Sequence, residues 1–172
     1  MITTIDPIMA DQGELEFLGT KPTPDPIAKH EMSFRKIDEL DLTMVKTKLC
    51  LPLEKEGKGW TSELANAAER WYKMYLKLCL IRGKGVVPTH LIDEMWHAHI
   101  LDTRKYHADC QTIFGYYLHH FPYFGLRGEE DAKNLDKEFQ VTVALFKEVF
   151  NVNLPKNDGQ KSQCCGSSCG CT

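Results

Sequence analysis

Six of the seven histidines, His90, His97, His99, His107, His119 and His120, and eight of the seventeen aromatic residues lie between positions 90 and 125. Imidazole can act as a general base, a proton carrier or a metal ligand near neutral pH, so chemistry is to be sought in this stretch first. On a helix, residues three, four and seven apart share a face, which places His90, Asp93, Glu94 and His97 along one stripe. His99, turned by about 200° from His97, falls on the opposite stripe with Ile92, Met95, Trp96 and Ile100. Two arrangements follow. In one, Asp93 and His97 form a carboxylate–imidazole pair four residues apart and His99 belongs to the core side. In the other, the helix unwinds near Ala98 and both imidazoles converge on one ion.

Further ligands stand close by in the sequence. Cys110 falls on an apolar helical face, His107 precedes it by three positions, and His119-His120 is expected to end that helix, which is read through Tyr117. The candidate metal set is therefore Asp93, His97, His99, Cys110, His119 and His120. Nitrogen and sulfur donors suit zinc, and the same donors with a carboxylate suit iron. The spacing is not His-Glu-x-x-His, paired Cys-x-x-Cys or a repeated Glu-x-x-His. The competing arrangement is a polar core, in which each histidine donates and accepts one bond among the aromatics and Cys110 is a small buried hydrophobe.

A second set of potential ligands is Cys164, Cys165, Cys169 and Cys171, all within the last nine positions and separated by glycine and serine. Flexible spacers would let these thiols converge on zinc or Cu(I), undergo redox chemistry, or remain reduced on an unstructured tail. Cys50 and Cys79 occupy apolar helical positions and are expected to be inert. Gly83-Lys84-Gly85 lacks the phosphate-loop pattern and reads as a turn. No serine or cysteine carries a local nucleophile signature. Trp96, Tyr106, Phe114 and Tyr117 read as core packing, and Phe121-Pro122-Tyr123-Phe124-Gly125 is expected to tuck into the fold rather than form a contact surface.

The elements that must position these groups follow from a 3.6-residue apolar period. Phe34 to Leu51 carries an imperfect stripe closed by Pro52. Leu64, Ala67, Ala68, Trp71, Tyr75, Leu78 and Cys79 form a clearer one, with Thr61 or Ser62 as N-cap and Gly83 as stop. A third helix is expected from near Pro88 to Leu101, a fourth capped by Asp102 or Thr103, and a last one starting in Glu129-Glu130-Asp131. No stretch alternates at period two long enough for a buried strand. The expected fold is all-α, a single bundle of about five helices. Its divisions are an irregular N-terminal arm over 1–32, spaced by prolines, a helical domain over 33–152, and a flexible Cys-rich tail over 153–172.

At 172 residues, 42% hydrophobic and 26% charged, the chain has the composition of one globular domain that needs no disulfide staple. A net charge of -3 without a basic run argues against nucleic acid or an anionic membrane as partner. The opening Met-Ile-Thr-Thr-Ile-Asp-Pro has no secretory pattern, and no apolar run reaches the ~18 residues of a membrane span, so a reducing cytoplasm is expected. A protein partner is compatible with this composition, which leaves the oligomeric state open.

The run Val87 to Thr103, containing Asp93-Glu94-Met95-Trp96-His97-Ala98-His99, with Tyr106, Asp109-Cys110, Phe114-Gly115 and Leu118 to Gly125, resembles the glycine-rich domain-containing protein-like family. The resemblance covers about Trp60 to Phe150, and the terminal cysteine cluster looks like a short form of that family's tail. It implies a fold unit more than a reaction, and directs attention to Asp93, Trp96, His97, His99, Tyr106, Cys110 and His119-His120. Three functions are carried forward: a helical module that binds a transition metal at the His/Asp/Cys centre, a metal-dependent enzyme that activates water or oxygen there, and an interaction adaptor acting through its terminal thiols.

Overall fold

The computed structural model describes residues 29–154. Residues 1–28 of the expected arm lie outside the described residues, as do the tail thiols Cys164, Cys165, Cys169 and Cys171. The fold is an all-α bundle, and the described residues contain no strand. Its helices are α1 (Glu31–Asp38), α2 (Thr43–Cys50), α3 (Ser62–Arg82), α4 (His90–Leu101), α5 (Thr103–Ile113) and α6 (Glu129–Phe150), with a 3-10 turn at Leu53–Lys55. Among the described residues no helix is long and apolar enough to cross a membrane.

α3 is the central helix and packs against α1, α2, α4 and α6. Its start is fixed by the Thr61 side chain, which accepts from the Leu64 amide at 3.2 Å, and its end by Gly83 at φ 78°. Its core face buries Ala68, Tyr72, Tyr75, Leu76 and Leu78. α4 lies against α2, α3 and α5, so it is enclosed on several sides and contributes Ile92, Met95 and Trp96 to the same core.

Two elements differ from the sequence expectation. The helix expected to reach His119-His120 ends at Ile113, where Gly115 at φ 75° turns the chain away. The helix expected over Phe34 to Leu51 is two helices: it breaks over Glu39 to Leu42, where Leu40 and Leu42, on either side of Asp41, are both buried. Between them the Asp41 carboxylate accepts from the Thr43 amide at 2.9 Å and opens α2. Glu39 to Leu42 is therefore the turn that lets α1 pack on α5 while α2 packs on α4.

The long connection between α5 and α6 is held at its α6 end. Asp131 accepts from the Gly125 amide at 2.6 Å and the Arg127 amide at 3.2 Å, and pairs with the Arg127 guanidinium at 2.6 Å. Gly125 has φ 90°, and a Cβ there would stand 2.6 Å from a methyl of Leu135, so the chain passes where only glycine fits. The aromatic stretch divides: Phe124 packs beside Val87, Leu135 and Phe139, whereas Phe121 and Tyr123 are more than half exposed.

Candidate metal centre

The centre is built by α4 and by the segment that leaves α5. Thr89 caps α4 through its hydroxyl, which accepts from the Ile92 amide at 3.4 Å. Asp93 sits in the first turn, where exposed helical amides favour a carboxylate, and is only 3% exposed. His97 follows one turn later on the same face, its Nδ1 3.8 Å from Asp93 Oδ2. α4 runs unbroken from His90 to Leu101, so the unwinding near Ala98 considered above does not occur.

His120 reaches this face from the connection. Two aromatic residues of the core place it there. The Trp96 indole donates to Tyr106 Oη at 2.9 Å, and the Tyr106 hydroxyl donates to the Leu118 carbonyl, two residues before His120. The Trp96 ring also meets the His120 imidazole edge-on, with centroids 4.6 Å apart. Trp96 and Tyr106, read from the sequence as packing, thus also fix the chain that carries His120.

His120 Nε2 lies 2.9 Å from Asp93 Oδ1 and 3.1 Å from His97 Nε2. Asp93, His97 and His120 each offer one ligand atom within 4.8 Å of the others, a grouping that could hold a metal ion. An imidazole nitrogen carries either one hydrogen or one lone pair, so His120 Nε2 cannot donate to Asp93 and accept from His97 at once. A single ion would take a lone pair from each group: ligands ~2.1 Å from a metal stand about 3.0 Å apart at right angles and about 3.4 Å apart in a tetrahedron, near the 2.9 Å and 3.1 Å that separate His120 Nε2 from Asp93 Oδ1 and His97 Nε2.

The other candidate ligands lie elsewhere. His99 faces the opposite side of α4, where Nε2 is 2.9 Å from Asp109 Oδ2 and Nδ1 is 3.1 Å from the Tyr72 hydroxyl. Burial lowers the His99 pKa, and the neighbouring Asp109 carboxylate only partly opposes that shift. A neutral ring with Asp109 accepting carries its hydrogen on Nε2, which leaves Nδ1 to accept from Tyr72. Both ring nitrogens are therefore engaged by protein. Cys110 is buried, and burial raises its thiol pKa. His119 is exposed, its ring 4.8 Å from that of Tyr117.

The expected six-residue centre thus divides into Asp93, His97 and His120 on one face, with His99, Cys110 and His119 outside that cluster. Tyr72 and Asp109 were not singled out from spacing. They lie on α3 and α5, and no local pattern marks them as partners of a histidine on α4. Lys105, one turn before Asp109 on α5, completes the chain with an ion pair at 2.9 Å.

Two cavities flank the cluster. Asp93 and His120 line one of about 440 Å³, walled by Tyr75, Trp96, Phe121, Phe124 and Leu135. His97 borders another of about 460 Å³, beside Val45, Leu49, Glu94 and Leu101. Both fall within the size range of small-molecule sites, roughly 300–1,000 Å³. Three protein donors beside open space match the pattern of a metal site with room for a further ligand.

A family model described as UCP032817-like matches residues 35–158, so the chain belongs to the UCP032817-like family. That match replaces the resemblance to the glycine-rich domain-containing protein-like family: the run from Val87 to Gly125 that suggested it lies inside the UCP032817-like region. The description of the family names no activity. No curated protein and no solved structure matches the chain.

Proposed function

We propose that this member of the UCP032817-like family binds one divalent transition metal ion through Asp93 Oδ1, His97 Nε2 and His120 Nε2. The observation that carries the reading is the double approach of His120 Nε2, 2.9 Å from a carboxylate oxygen and 3.1 Å from a second imidazole nitrogen. Two imidazoles and one carboxylate are a donor set used by zinc and by non-haem iron. The core supports the ligands: Asp93 and His97 share one rigid helix, and Trp96 and Tyr106 anchor the segment before His120.

A metal-dependent reaction is the second reading, favoured by the cavity that Asp93 and His120 line. Three protein ligands leave at least one coordination position for water, oxygen or a substrate. Binding is tested by melting the protein with and without zinc or ferrous iron. The wild type should be stabilised by about 2.7 kcal/mol at a free metal concentration one hundred times Kd. Asp93→Asn and His120→Ala should fold and lose that gain. A wild type that gains nothing from either metal, or variants that gain as much as the wild type, would refute the assignment.

A further inference from the structure

We infer that the cavity beside Asp93 and His120 receives a small carboxylate with an apolar or aromatic body, whose headgroup binds the metal ion. This rests on the metal reading of Asp93, His97 and His120 and adds the class of molecule that meets the ion. The argument has a charge part and a shape part.

The charge part starts from the donor set. A divalent ion held by one carboxylate and two neutral imidazoles keeps a net charge of about +1, which an anionic oxygen donor balances. Asp93 is the only acidic residue among the described residues that line the cavity, and the ion offsets its charge. Lys84 and His119 also line it, so an approaching carboxylate meets no other negative side chain. Among the described residues no arginine lines the cavity, and these residues therefore offer no clustered bidentate donors of a phosphate site.

The shape part concerns what lies behind the headgroup. Tyr75 and Trp96 are almost fully buried, and Phe124 and Leu135 add further apolar wall. The cavity reaches the surface beside Phe121 and Tyr116, both about half exposed. A molecule that extends from the ion toward this opening covers apolar surface along its length, and the exclusion of water strengthens its headgroup's attraction to the ion. A formate-sized anion leaves that wall wet, and a neutral apolar molecule leaves the ion's charge unbalanced.

The test is calorimetric titration of the full chain carrying Cys164→Ser, Cys165→Ser, Cys169→Ser and Cys171→Ser, which removes the terminal thiols as zinc ligands, zinc-loaded and metal-free, with phenylacetate, benzyl alcohol and acetate, with zinc content measured in every sample. Zinc-loaded protein should bind phenylacetate on the order of tenfold more tightly than it binds benzyl alcohol or acetate, and on the order of tenfold more tightly than the metal-free protein binds phenylacetate. Lys84→Glu, which reverses the charge on an exposed wall residue, should weaken phenylacetate binding several-fold. If zinc binds and phenylacetate shows no such preference, or Lys84→Glu binds it as well as the wild type, the inference falls and the metal site stands. If no zinc is taken up, both fall, and the zinc measurement tells the two failures apart.

Discussion

His97 and His120, twenty-three positions apart in the chain, face each other through their Nε2 atoms at 3.1 Å, beside a carboxylate that is almost wholly buried. Two neutral imidazoles in this relation can share one hydrogen, or both can give lone pairs to one cation. In the second case the Asp93 carboxylate, 2.9 Å from His120 Nε2, is the third ligand.

Acid should release the metal. Histidine ligands bind through a neutral nitrogen, so protons compete with the ion and affinity falls as pH drops. Zinc titrations repeated from neutral to mildly acidic pH should show steady weakening in the wild type. An affinity that is constant across that range would place the ion on other groups.

His99 should matter to folding and not to metal uptake. Tyr72→Phe removes the hydroxyl that meets His99 Nδ1 and leaves a buried ring nitrogen without that partner. The cost should be about 1–3 kcal/mol in denaturant melts. Zinc affinity measured on the same variant should equal that of the wild type, because His99 faces away from Asp93 and His97.

Cys79 should resist thiol reagents in the native protein. Burial pushes its thiol up to about 12, so almost no thiolate is present at neutral or mildly alkaline pH. Alkylation followed by peptide mapping should label the partly exposed Cys50 well before Cys79, and label both equally once the chain is denatured. Fast labelling of native Cys79 would mean that the cavity it borders opens far wider than the structure shows.

Gly125→Ala should destabilise the fold by about 1–3 kcal/mol, since the position has positive φ and a side chain would press on Leu135. The same change should weaken zinc binding, because the strained segment begins five residues after His120. Thermal melting and zinc titration of the one variant read both effects.

The legible part of the fold is the part governed by local signals. Thr61 and Gly83 bound α3, Asp102 caps α5, and the acidic run opens α6, as the side-chain chemistry of caps and helix dipoles dictates. The break between α1 and α2 was less legible because Leu40-Asp41-Leu42 interrupts an apolar stripe by only a few residues. At the site, the placement of Asp93 and His97 on one face and His99 on the other follows from helical geometry alone. The third member does not. His120 lies 27 positions from Asp93 and sits in a connection whose path is set by Trp96, Tyr106 and Asp131. No helical period covers that path, so His119 and His120 were indistinguishable until their neighbours were known.

The central claim is tested most directly by elemental analysis of untagged full-length protein in which Cys164, Cys165, Cys169 and Cys171 are replaced by serine, which removes the terminal thiols as an alternative ligand set. After incubation with zinc or ferrous iron and removal of excess metal, the account predicts about one equivalent retained. His120→Ala in the same background should retain almost none. Protein that retains no metal, or a His120→Ala variant that retains as much as its parent, would contradict it.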